Sequence, residues 1–183
     1  MTIRDSFITV EEFEAFVNLP ENADTLFELI AGEIIEVPSD PYVSQIALII
    51  GAFIITFIKK HKLGHATGEA GGYMVSGERY APDVAFISYE KQPEIAKSGY
   101  NPNPPDLAVE IISDGNTTEQ KRLRVKLTNY LAAGTVVWVV DPEEKTVEVH
   151  QARIPVKVYR EDDTVLGEPV LPEFKLKVAD IFG

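Results

Sequence analysis

The chain contains no cysteine, which removes disulfides, thiol nucleophiles and thiolate metal sites at once. Histidine is scarce too: His61, His65 and His150 are the only three, and their spacing suits no zinc site. Positive charge is the third shortage. Seventeen lysines and arginines face 29 acids, a formal charge of −12, so no broad basic surface can coat a nucleic acid. A local basic cleft, or carboxylates gathered around a divalent cation, stays open. The first residues, MTIRDSFITVEEFEAF, lack the basic start and apolar core of a signal peptide, and the expectation is a cytoplasmic protein. Internal repeats, low-complexity tracts and linkers are missing as well. What is there, 183 residues at 45% hydrophobic, fits one α/β domain over residues 1–183.

The most apolar segment is IALIIGAFIITFI, residues 46–58, inside a predicted helix over 42–62. Thirteen residues fall short of the roughly 20 that cross a bilayer, and KKHK follows at once. A helix apolar on nearly every face is instead buried between layers or in a dimer contact. We therefore expect no membrane span and a homodimer.

Around this helix the pattern is α/β. Thr9 caps a short helix through Val17, and Ala31-Gly32 turns a hairpin between 27–30 and 33–37. Pro38 and Pro41 bracket a loop before the long helix. A glycine-interrupted strand over 66–75 pairs with 82–88 as a hairpin around Ser76-Gly77-Glu78, and a proline-rich loop covers 91–105. The apolar run 107–112, a turn at Asp114-Gly115-Asn116, a helix capped by Thr117 or Thr118 and stopped by Gly134, and a strand over 136–140 form a crossover unit. Its two strands should be parallel and buried. A hairpin of 146–151 with 155–160 follows, and 174–182 closes the chain.

Two acids interrupt otherwise apolar strands. Asp83 opens its strand after Pro82, and Glu110 sits inside PDLAVEIIS, sharing a face with Ala108 and Ile112. A carboxylate there is costly unless something uses it. Adjacent strands lie about 4.8 Å apart, so the two acids can converge on one magnesium or manganese ion. Asp83 also reads as a strand-entry turn residue, Glu110 as a partner of Arg122 or Arg124, and Lys126 as a lysine running past Leu123.

The stretches FELIAGEIIEV, GGYMVSGERYAPDVAFIS, PDLAVEIISDGN and KLTNYLAAGTVVWVVDP, in this order and spacing, resemble the PD-(D/E)xK nuclease superfamily and, within it, the Uma-two branch of restriction endonucleases. The resemblance covers about two thirds of the chain. It implies a restriction-endonuclease-like core, a mixed β-sheet flanked by helices, here with extra N- and C-terminal β-hairpins. It implies a metal-dependent endonuclease acting on DNA phosphodiesters, with Asp83, Glu110 and the Ile111 backbone carbonyl holding Mg2+ or Mn2+. The superfamily lysine belongs two residues after the glutamate, where this chain has Ile112. In this branch it moves to the next helix, where Lys126 and Tyr130 match K-x-x-x-Y. Glu33, Glu69 and Gln45 are further candidate ligands, and Lys121, Arg122 and Arg124 candidate phosphate contacts. Lys59, Lys60 and Lys62 offer a second basic edge. Two other readings stand beside this one: a degenerate nuclease fold serving as a binding or assembly module, and a metal-dependent hydrolase of a small phosphate ester. Helix and strand rises bring Lys126 level with Glu110, so its ammonium should lie within one water of that carboxylate.

Overall fold

In the computed structural model, which describes residues 7–37, 40–113 and 115–182, Thr9 opens α1 (Val10–Val17) with a reciprocal capping box to Glu12. After a single 3-10 turn come β1 (Phe27–Ile30) and β2 (Glu33–Glu36). Ala31 and Gly32 between them both take positive φ, as a tight two-residue hairpin requires. Asp40 caps α2 (Pro41–His61) by accepting from the amides of Tyr42 and Val43. Then follow β3 (Gly64–Gly68), β4 (Tyr73–Val75), β5 (Glu78–Tyr80), β6 (Val84–Ser88), β7 (Leu107–Ile111), α3 (Thr117–Ala132) and β8 (Val136–Asp141). The chain finishes with β9 (Thr146–Gln151), β10 (Ile154–Tyr159), β11 (Thr164–Leu166), β12 (Lys175–Lys177) and α4 (Ala179–Phe182).

The central sheet has the order β10-β9-β8-β7-β6-β3. Only β7 and β8 run parallel, joined by α3 as the crossover pattern predicts. Alternation along β7 divides the interior. Leu107, Val109 and Ile111 pack with α2 and Trp138, while Ala108 packs with Tyr130 and Val139 beneath α3. Ile46, Ile50, Ile54 and Ile58 recur at helical spacing on the inner stripe of α2 and are essentially inaccessible. Each such burial stabilises by roughly 2 kcal/mol. A second sheet, β2-β1-β5-β4, lies on the α3 side, and β11 pairs with β12 near the carboxy terminus. The architecture is thus a mixed sheet flanked by helices, with hairpins added at both ends.

Several local expectations are corrected. The predicted strand over 66–75 is two strands in two sheets, because the chain crosses between them at Gly71-Gly72. Ser76-Gly77 turns β4 into β5, and β6 pairs with β3 and β7 instead. Asn116, not a threonine, caps α3, accepting from the amides of Thr118 and Glu119. The predicted turn at 114–116 and the loop bracketed by Pro38 lie partly outside the described residues. The full helix α2 is long and apolar enough to cross a membrane by length and composition, with a mean hydropathy of 2.0 in its 18-residue window. The 13-residue run alone understated it.

Candidate active site

Glu110 is the only ionisable residue of β7, and alternation turns it toward α3. From α3, Lys126 and Tyr130 face back at it, four residues apart on one helical stripe. Lys126 Nζ donates to Glu110 Oε2 at 2.6 Å, and the Tyr130 hydroxyl donates to Glu110 Oε1 at 2.9 Å. The lysine therefore meets the carboxylate directly, closer than the one-water reach expected. Its ammonium also donates to Glu28 Oε1 at 2.9 Å, an oxygen that accepts from the Ala81 amide at 2.7 Å. On the other side, the Tyr80 ring centroid lies 5.6 Å away. Glu28, Glu110 and Lys126 are all buried.

Asp83 stands just before β6. The ladder Val84↔Val109, continued by one residue, sets it opposite Glu110. Its Oδ2 accepts from the Ile111 amide at 2.7 Å. Amide and carbonyl of one strand residue lie on the same strand edge, so the Ile111 carbonyl looks toward Asp83 as well. These groups meet at a cleft of about 260 Å³ between the β1 hairpin, β7 and α3, which Arg122 also lines.

Three acids around one ammonium leave net negative charge in a dry place. Burial pushes the Asp83 carboxyl up to about 6; the Ile111 amide and Lys126 pull against it, while Glu28 and Glu69 add to it. Burial likewise raises Glu110 to about 7, against Lys126 and with the help of Glu28 and Asp83. Burial works against the Lys126 cation, but Glu110 and Glu28 more than offset it and hold its pKa above the ordinary lysine value. Burial and the same two acids keep Tyr130 a protonated donor.

The structure brings Asp83, Glu110, Ile111 and Lys126 together and adds Glu28, which the sequence reading passed over. Glu28 bears the same mark as Glu110, an acid inside an apolar strand, FELI. Phe27 and Leu29 face α1 and Glu28 faces the cleft. The other candidates lie elsewhere. Glu33 is exposed, 3.9 Å from Arg122, which is thus the partner of Glu33 and not of Glu110. Gln45 is exposed on α2 and lines no part of the cleft. Glu69 lies beyond Asp83, in a second groove, with Ser44 Oγ 3.4 Å from its Oε1. Lys121 and Arg124 are exposed on α3. Lys59, Lys60 and Lys62 sit at the far end of α2, roughly 24 Å from the cleft end at Val43.

Carboxylates and a backbone carbonyl are hard donors that suit Mg2+ or Mn2+. Among the described residues Asp83 Oδ1 and Glu28 Oε2 take no hydrogen bond, which leaves donor capacity facing the cleft. No three acidic or histidine side chains there form an enclosing cage among the described residues. The donor set therefore fits a cation that keeps several waters, as Mg2+ does.

The family model described as "Putative restriction endonuclease", Uma2, matches residues 10–179. The chain is also similar to a solved structure described as a "putative nuclease belonging to DUF820", from Anabaena variabilis ATCC 29413. The two share 26% identity and a TM-score of 0.82, over 96% of this chain and 97% of that one. No curated protein matches the chain.

Proposed function

The chain belongs to the Uma2 family, and from that premise we propose that it is a metal-dependent endonuclease hydrolysing DNA phosphodiester bonds, a single cytoplasmic restriction-endonuclease-like domain working as a homodimer. The observation that carries the reading is the place of Lys126. The superfamily position for the lysine, two residues beyond Glu110, holds Ile112 on the same strand face. The ammonium of Lys126 arrives at that face from α3 and touches Glu110. The missing cation is relocated, not lost.

Asp83, Glu110 and the Ile111 carbonyl would hold Mg2+ or Mn2+, which when bound supplies a Lewis acid and acidifies its water. Lys126, fixed from two sides by Glu28 and Glu110, neutralises charge developing on phosphate oxygens. Tyr130 holds the second oxygen of Glu110 and so fixes the carboxylate plane. Arg122 faces incoming phosphate at the cleft wall; among the described residues its buried Nε has no protein partner.

Plasmid nicking with Mg2+ or Mn2+ tests this. Wild type should nick only with the metal, and Lys126→Met or Asp83→Asn should lower the rate about 100-fold or more. Absence of calorimetric metal binding by wild type at millimolar concentration would overturn the catalytic reading and favour a binding or assembly module. A small phosphate ester is the alternative substrate, since it needs no extended basic surface. Hydrolysis of such an ester with intact plasmid would select that substrate class.

A further inference from the structure

One face of α2 is left uncovered. Leu48 is 75% exposed and Ile55 is exposed beside it, while the exposed Tyr42 and Phe53 lie further round the helix. Leu48, Ala52 and Ile55 follow one another at i, i+4, i+7 and form a ridge. A groove runs along each flank. One, of about 370 Å³, lies between α2 and β3 and reaches Asp83; the other, of about 420 Å³, lies between Phe53, Phe57 and Phe174. A ridge with a groove on either side is the shape that interlocks with a copy of itself.

Charge adds direction. Glu69 stands at the amino-terminal end of this face, beside Ser44, and Lys59, Lys60 and Lys62 at the other. An antiparallel pair matches acid to base at both ends; a parallel pair sets like against like. The axis that pairs Leu48 with the partner's Ile55 passes between positions 51 and 52, where the small side chain of Ala52 on the ridge allows close approach. The same axis sets Ser44 opposite the partner's Lys59, and Ser44 Oγ lies 3.4 Å from Glu69 Oε1.

We propose that α2 packs antiparallel against α2 of a second copy about a two-fold axis near Ala52, placing the partner's Lys59 beside Glu69 at the mouth of the groove that leads to Asp83. The basic end of α2, about 24 Å from its own cleft, then serves the partner's. The site is composite, and an acidic chain gains positive charge near Asp83 through assembly. This rests on the homodimer reading and not on the nuclease reading; its test reads mass, so the two fail separately.

Sedimentation of the full chain from 1 to 100 µM gives the test. Wild type should approach twice 20.3 kDa within that range. Lys59→Glu and Glu69→Lys should each raise the dimer Kd about tenfold or more, and the double reversal should return it to within about threefold of wild type. Leu48→Asp should be monomeric with an unchanged circular dichroism spectrum. A wild-type monomer at 100 µM, a dimer surviving Leu48→Asp, or a double reversal no tighter than the single variants would overturn the proposal. Wild type that stays monomeric and floats with anionic lipid vesicles would overturn it in favour of a membrane surface.

Discussion

At the scale of single residues, the acids of the cleft set a pH dependence whose sign is fixed. The Asp83 pKa is raised by burial from 3.8 to about 6 in the folded chain. Folded protein then binds more protons than unfolded, so stability falls as pH rises through that window and the deficit persists above it. Two units correspond to about 3 kcal/mol. Asp83→Asn should therefore stabilise the metal-free protein at pH 8 by up to about 3 kcal/mol while losing activity, and the gain should vanish below about pH 4. Denaturant melts at pH 8 and pH 4 read the difference; an Asn variant less stable than wild type at both would refute it. Lys126→Ala behaves oppositely. It strips the cation from between two buried carboxylates. At pH 8 it should cost about 3 kcal/mol or more. The loss should shrink near pH 5, because Glu110, raised by burial and no longer held down by Lys126, takes up a proton. Equal destabilisation at both pH values would show that packing alone is lost. Asp83 and Glu110 were legible because an acid in an apolar strand is conspicuous, and Lys126 because the family resemblance pointed to it. Glu28 carried the same signal but occupied a four-residue hairpin strand, where two-sided burial is not the default.

Elements were legible where their signals are local. The α1 capping box, the two-residue turn at Ala31-Gly32, the crossover unit and the stop at Gly134, with its φ of 82°, are each written in a few adjacent residues. Partnership between strands was not. Tyr73–Val75 has strand-forming composition while Gly64–Gly68 does not, and nothing local states that Gly71-Gly72 carries the chain from one sheet to another. Hairpin proximity made β6 the natural partner of the strand before it, whereas packing with α2 drew β6 between β3 and β7. The α3 cap shifted to Asn116 for a simpler reason. Asparagine is as good an acceptor as threonine at this position, and its side chain reaches two amides at once.

For the whole molecule, and on the proposed nuclease reading, the excess of acid decides how nucleic acid can be held. A chain at −12 repels a polyanion everywhere except where cations are gathered, and few are gathered near the cleft. Arg122 lines it, with Lys121 and Arg124 exposed on the same helix. In this reading Arg122 is the phosphate contact that one protomer supplies at the cleft from its own α3, because Lys121 and Arg124 lie about 140° and 160° round the helix from Lys126. Each neutralised phosphate contributes about −0.9 to the slope of log K against log salt concentration. With Arg122 alone, the expected slope for duplex DNA in Ca2+, which supports binding without turnover, is about −1 per protomer. Fluorescence anisotropy from 50 to 300 mM salt measures it, and Arg122→Ala should flatten the slope by about one. A wild-type slope near −6 per protomer would mean that cations beyond those of one protomer's cleft hold the DNA, on the outer face of α3 or at the basic end of α2 from a second copy. An unchanged slope in Arg122→Ala would remove that arginine from the path of the phosphates.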